Sequence, residues 1–154
     1  MSSGTGKIKP MFIGQHIYSF DEHSRVAVPT RFREQLAQGA FITQGFDRNL
    51  WVLTEDDFQA LAEHCAGLNI ADPRVRLLLR MVLGSAAPLE IDEAGRMLIP
   101  PELRAFAGLG KEVVLVGQGK YFEVWAPALW QKQELRLQDA EANADRFAGL
   151  AVTA

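Results

Sequence analysis

The 154 residues, 48% hydrophobic and 23% charged, suffice to bury a full core without disulfides or metal. A single cysteine, Cys65, excludes an intramolecular disulfide framework, and no apolar run approaches the roughly 20 residues that span a bilayer. The net charge of −3 argues against nucleic-acid binding through bulk positive charge, yet residues 1–50 carry six cations against four anions, a net of +2.

In chain order, Met1 to Pro10 is Ser/Gly-rich, with Lys7 and Lys9 but no apolar h-region. It reads as a disordered extension rather than a signal peptide, with the fold beginning at Met11 and the chain in the cytoplasm. Residues 15–20 read as a strand that ends at Asp21, and residues 25–28 as a second, short strand, together a hairpin. Pro29 then stands where a strand ends and a helix over residues 30–37 starts, a place that tolerates its missing donor. Gly39 suits the positive φ wanted after a helix. Strands over 40–44 and 50–53 follow, joined by a Gly/Asp/Asn turn. Thr54-Glu55-Asp56-Asp57 resembles a capped helix start, with Phe58, Leu61, Ala62 and Cys65 at helical spacing behind it. Asp72-Pro73 opens a connecting helix, apolar at Leu77, Leu78, Met81 and Val82 and basic at Arg74, Arg76 and Arg80, that Gly84 can end.

The order of elements then repeats. Phe20-Asp21-Glu22-His23-Ser24-Arg25-Val26-Ala27-Val28-Pro29 aligns with Ile91-Asp92-Glu93-Ala94-Gly95-Arg96-Met97-Leu98-Ile99-Pro100, and Arg33 and Gly39 with Arg104 and Gly110. The second copy therefore reads as strands over 86–91 and 96–99, a helix over 101–107 capped by Gly110, strands over 112–116 and 121–125, and a helix opened by Pro127. Neither copy has enough apolar surface to be stable singly. The expectation is an α+β fold in which residues 11–82 and 83–137 form one domain, a shared β-barrel or sandwich with pseudo-two-fold symmetry. In the tail, 138–154, the spacing of Trp130, Gln133, Leu137, Ala140, Ala144 and Phe147 predicts a helical seam that docks on a neighbouring subunit or frays.

No catalytic constellation emerges. His16, His23 and His64 lie far apart without ligand-spaced partners, so neither metal nor cofactor is expected, and Gly117-Gln118-Gly119-Lys120 lacks phosphate-loop spacing and reads as a hairpin turn. The chemistry lies in the Asp-x-x-x-Arg turns. An Asp at the head of a turn accepts bonds from the following backbone N–H groups, and its carboxylate can hold the Arg four residues on. An Arg so fixed can present donors to guanine O6 and N7 or to phosphate. The candidates are Arg25, oriented by Asp21, with His23, Arg31 and Arg33 as phosphate neighbours; Asp92 and Arg96, with Pro29 and Pro100, read as the structural part of the repeat.

Two Asp-x-x-x-Arg turns, each followed by a strand and proline, about 70 residues apart and preceded by Met11-Phe12-x-Gly14, resemble the MraZ family of bacterial transcriptional regulators. The resemblance implies tandem AbrB-like swapped-hairpin half-barrels in a homo-oligomeric ring. That ring would bind double-stranded promoter DNA at short G-rich direct repeats in the nucleoid, repressing the division and cell-wall gene cluster that includes its own gene. No membrane and no small-molecule substrate is implied. The family turn is most often Asp-x-Lys-Gly-Arg, whereas the first copy here has His23-Ser24, with Ser where positive φ is wanted, and the second has Ala94-Gly95. The alternative is an antitoxin-like or scaffold ring that binds protein and has lost DNA binding, which the net negative charge favours.

Overall fold

The computed structural model describes residues 9–152, so the expectation for residues 1–8 lies outside the described residues. The first copy contains β1 (Gln15–Ser19), β2 (Arg25–Ala27), α1 (Thr30–Leu36), β3 (Ala40–Gln44), β4 (Leu50–Thr54) and α2 (Glu55–Ala66). After the connecting helix α3 (Pro73–Val82) come β5 (Ala87–Pro88), β6 (Glu90–Ile91), β7 (Arg96–Leu98), α4 (Pro101–Phe106), β8 (Glu112–Gly117), β9 (Tyr121–Trp125), α5 (Pro127–Leu137) and α6 (Ala140–Phe147). The fold is mixed α+β with antiparallel sheets.

The hairpins expected over 40–53 and 112–125 form, β3 with β4 and β8 with β9, whereas the first strands of the two copies find other partners. One sheet runs β1-β8-β9-β4-β3-β5 and the other β2-β7-β6. The first strand of copy one thus pairs with the third of copy two, Gln15 opposite Val116 through Ser19 opposite Glu112, while β5 of copy two pairs with β3 of copy one. Across the middle, Leu50 to Leu53 of β4 lie opposite Val124 to Tyr121 of β9. The six-stranded order therefore reads the same from both ends under the duplication. Length explains the exchange: β1 makes five pairs with β8, whereas β2 is only three residues long. Copy two keeps a short true hairpin, β6 against β7, because its first strand divides at buried Leu89.

Alternation places one face of each sheet on a single core. Val26 and Met97 from the small sheet and Ile42, Leu50, Val52, Val113, Leu115, Phe122 and Val124 from the large one are buried in one cluster. Phe12, Phe32 and Phe122 meet at ring separations of 4.9 to 5.3 Å, which locks the segment before β1 and helix α1 onto copy two. The outer face of the large sheet is covered at one end by α5, where Trp130 packs with Val114, Val116 and Trp125, and Phe41 of β3 stacks on Phe58 of α2.

Local chemistry sets the helix ends. The hydroxyl of Thr54 accepts from the Asp57 N–H and the carboxylate of Asp72 from the Arg74 N–H, the caps foreseen for α2 and α3. Of the apolar residues of α3 only Val82 is buried, and Leu77 is exposed. After α4 the positive φ falls at Gly108 (64°) and not at Gly110, because α4, six residues against seven in α1, ends a position earlier. The tail seam does not run through: α5 stops at Leu137, Asp139 caps α6 by accepting from the Ala142 N–H, and Phe147 is exposed. Among the described residues no helix is long and apolar enough to cross a membrane.

Candidate nucleic-acid interface

In the small sheet Val26 and Met97 point into the core, so Arg25, Ala27, Arg96 and Leu98 point outward. Arg25 lies opposite Leu98 and Ala27 opposite Arg96, which makes the two arginines diagonal neighbours on the exposed face.

Each arginine follows a turn built in the same way. Asp21 Oδ1 accepts from the N–H of His23 (2.8 Å) and of Arg25 (3.0 Å), and the Asp21 N–H donates to the Arg25 carbonyl (2.8 Å). In copy two, Asp92 Oδ1 accepts from the Arg96 N–H (2.9 Å), and the Asp92 N–H donates to the Arg96 carbonyl (2.9 Å). The fourth residue is left-handed in both, Ser24 at φ 62° and Gly95 at φ 80°, so Ser24 does occupy the position that favours glycine. The N–H bond from Arg25, then that from His23 and the Arg96 charge, hold the Asp21 carboxyl below its ordinary value against partial desolvation. Asp92 is lowered in the same way, first by the Arg96 N–H and then by the Arg96 charge.

The side chains cross between copies. Arg96 donates from Nη1 to Asp21 Oδ2 (2.9 Å) and from Nε to Asp92 Oδ2 (3.2 Å). Arg25 stands with its Nε 3.6 Å from Asp92 Oδ2. This corrects the expected pairing of Asp21 with the Arg25 side chain: Asp21 fixes the Arg25 backbone, but its free oxygen faces Arg96 because β2 and β7 are antiparallel neighbours. The two side chains are comparably exposed, 36% for Arg25 and 42% for Arg96, yet they differ in engagement. Arg96 is clamped by both carboxylates; Arg25 makes no side-chain hydrogen bond among the described residues.

Pro29 and Pro100 adopt the extended φ/ψ of a helix cap, −53°/142° and −55°/140°, and their carbonyls accept the N–H groups of Arg33 and Arg104. Arg33 does not stand beside Arg25. Its Nη2 donates to Thr30 Oγ1 (2.7 Å) and its guanidinium covers Gly95, in the turn of the other copy. Arg104 shows the counterpart, stacking 3.6 Å from the centre of the Phe20 ring at the head of the first turn. His23 and Arg31 are exposed on copy one.

Two features escaped the sequence reading. Arg96 sits on the same exposed face as Arg25, a placement implied by the equal register of the two copies. The second is Glu123, almost buried on the outer face of the large sheet, where Oε1 accepts from Trp125 Nε1 (2.9 Å) and Gln118 Nε2 (3.2 Å) and Oε2 from Asn49 Nδ2 (3.0 Å). Burial raises its pKa, and the Trp125 and Asn49 bonds offset part of that rise. A lone acid between aromatic residues reads as solvent-facing, and Asn49 is the one signal of a buried partner.

Comparison with known proteins agrees with this duplicated architecture. Residues 11–81 and 82–149 each match the family described as "MraZ protein, putative antitoxin-like", the second match reaching past the expected repeat end at 137. A protein of Thermomicrobium roseum named "Transcriptional regulator MraZ" is 42% identical over 91% of this chain and 99% of its own length. Relatives of the same name from Roseiflexus castenholzii and Desulfitobacterium hafniense are 40% and 37% identical, over 90% and 87% of this chain and 94% of theirs. The chain belongs to the MraZ family.

Proposed function

We propose that the protein is a sequence-specific DNA-binding transcriptional regulator, reading duplex DNA with the exposed face of the small sheet. The observation that carries this reading is Arg25, a partly exposed guanidinium on a fixed backbone that stands 3.6 Å from one carboxylate oxygen of Asp92 and makes no side-chain hydrogen bond among the described residues. Such a group suits bidentate contact to guanine O6 and N7. Arg96, clamped by Asp21 and Asp92, contributes a second cation at a set distance along the same face, and His23 and Arg31 are phosphate contacts. The transcriptional role is supported by the name the relatives carry.

The finer parts of the proposal come from the family. Residues 11–82 and 83–137 close as two half-barrels into one domain, with 138–154 as a tail, and several copies form a ring on short G-rich direct repeats. The ring represses the division and cell-wall cluster that includes its own gene. Within the turn cluster two cations face two carboxylates, so affinity depends on several subunits binding at once; linked sites raise avidity by about 10² to 10⁴ without new contacts. A gel-shift with DNA from immediately upstream of the gene against a scrambled duplex, together with light scattering of the free protein, tests this. Selective retardation by a closed oligomer is expected. Equal retardation of both duplexes removes sequence specificity, and a monomer that binds fully removes the ring. The second reading, an antitoxin-like or scaffold ring, is favoured by the net charge of −3 and would show as no retardation of either duplex.

A further inference from the structure

The exposed face of the small sheet carries apolar side chains as well as arginines. Side chains directly opposite in adjacent strands have Cβ atoms about 5 Å apart. That places Leu98 beside Arg25 and Ala27 beside Arg96, and β6 adds Glu90 on the far side of Leu98. Val26 and Met97, which alternate with these residues, fill the core, whereas Leu98 is partly exposed and among the described residues joins neither apolar cluster. Under the duplication Leu98 corresponds to Ala27 and Glu90 to Ser19. Arg25, whose side chain makes no hydrogen bond among the described residues, therefore has a branched apolar neighbour; clamped Arg96 has a single methyl group.

A two-stranded antiparallel ribbon fits the major groove of B-DNA, where thymine alone of the four bases displays a C5-methyl group. Successive base pairs are about 3.4 Å apart, so a residue about 5 Å from Arg25 reaches the base pair adjoining the one that Arg25 contacts. We infer that Leu98 is a specificity-determining residue, packing on the C5-methyl group of a thymine next to the guanine bound by Arg25; the inference rests on the DNA reading above. Glu90 repels phosphate oxygens at that end of the row, which sets Leu98 over base edges and not over the backbone. Ala27 ends at its Cβ, so the methyl group is read beside Arg25 and the recognised element is asymmetric.

The test is the affinity of wild type and Leu98→Ala for the upstream duplex, for the same duplex with every thymine replaced by uracil, and for the scrambled duplex. Uracil keeps the pairing and the hydrogen-bonding edge of thymine and lacks only the methyl group. Wild type should bind the thymine form about fourfold more tightly than the uracil form, the worth of one buried methyl group. Leu98→Ala, its fold checked by circular dichroism, should bind the two forms alike while still preferring both to the scrambled duplex through Arg25. Equal binding of the two forms by wild type, with the preference over the scrambled duplex intact, would overturn the inference and leave the DNA reading standing. A thymine preference undiminished in Leu98→Ala would overturn it too, since an effect of the methyl group on duplex shape does not depend on Leu98. No preference of wild type for the upstream duplex would remove the DNA reading and the inference together.

Discussion

The two turns differ by one residue whose effect can be worked out in advance. Ser24 sits at φ 62° and Gly95 at φ 80°, and an L-residue in the left-handed region carries roughly 1–2 kcal/mol of strain. Gly108, at φ 64° with nothing within 4 Å of a Cβ, isolates that strain: Gly108→Ala should destabilise by about 0.5–1 kcal/mol, less than the full strain because alanine lowers the entropy of the unfolded chain. Ser24→Gly runs the same change backwards and should stabilise by about the same amount. At Gly95 a Cβ would fall inside 3.0 Å of three Arg33 side-chain atoms, so Gly95→Ala must also displace that guanidinium from Thr30. Loss of that bond adds about 0.5–1.5 kcal/mol. Urea unfolding at constant m-value orders the three variants. A Gly95→Ala variant no less stable than Gly108→Ala, or a destabilised Ser24→Gly, would refute the reasoning.

The carboxylates predict opposed pH responses. Asp21, Asp72 and Asp92 have folded pKa values below the ordinary 3.8, so their stabilisation is complete above that value and is lost as pH falls through the folded ones. Glu123 is raised above 4.5 by burial, so its contribution is present below 4.5 and is lost as pH rises through the folded value; Glu123→Gln should remove that rising-pH loss, seen as a flatter urea midpoint from weakly acid to neutral pH. Phe122→Ala, at the centre of the aromatic cluster and fully buried, should cost about 3–5 kcal/mol in the same assay. Removing residues 138–154 deletes α6, which has no buried residue, and should change the stability of the remainder by no more than about 0.5 kcal/mol.

The elements were legible because local signals agreed with one another. Proline at 29 and 100, Thr54 and Asp72 at helix starts, and Gly45 to Asn49 at a hairpin each act within a few residues. The partners of β1, β2 and β5 were not legible, because alternation states which face of β1 is buried but not which neighbour it joins; a hairpin within a copy and an exchange between copies leave the same pattern. The site inherited that ambiguity. Asp21 and Arg25 have the right spacing to pair, and only the antiparallel juxtaposition of β2 with β7 delivers the carboxylate to Arg96 instead. The break in the tail was readable: Asp139 before Ala140-Glu141-Ala142 is a cap signal that the apolar rhythm obscured.

The central claim, that the paired turns read DNA through Arg25, is tested most directly by the affinity of the upstream duplex for wild type, Arg25→Ala and Arg96→Ala across a salt series. Arg25→Ala should lose discrimination against the scrambled duplex, about 1–3 kcal/mol per guanine contact, while the fold persists. Arg96→Ala should weaken binding with a smaller loss of discrimination and a shallower salt slope. Undiminished discrimination by Arg25→Ala would contradict it.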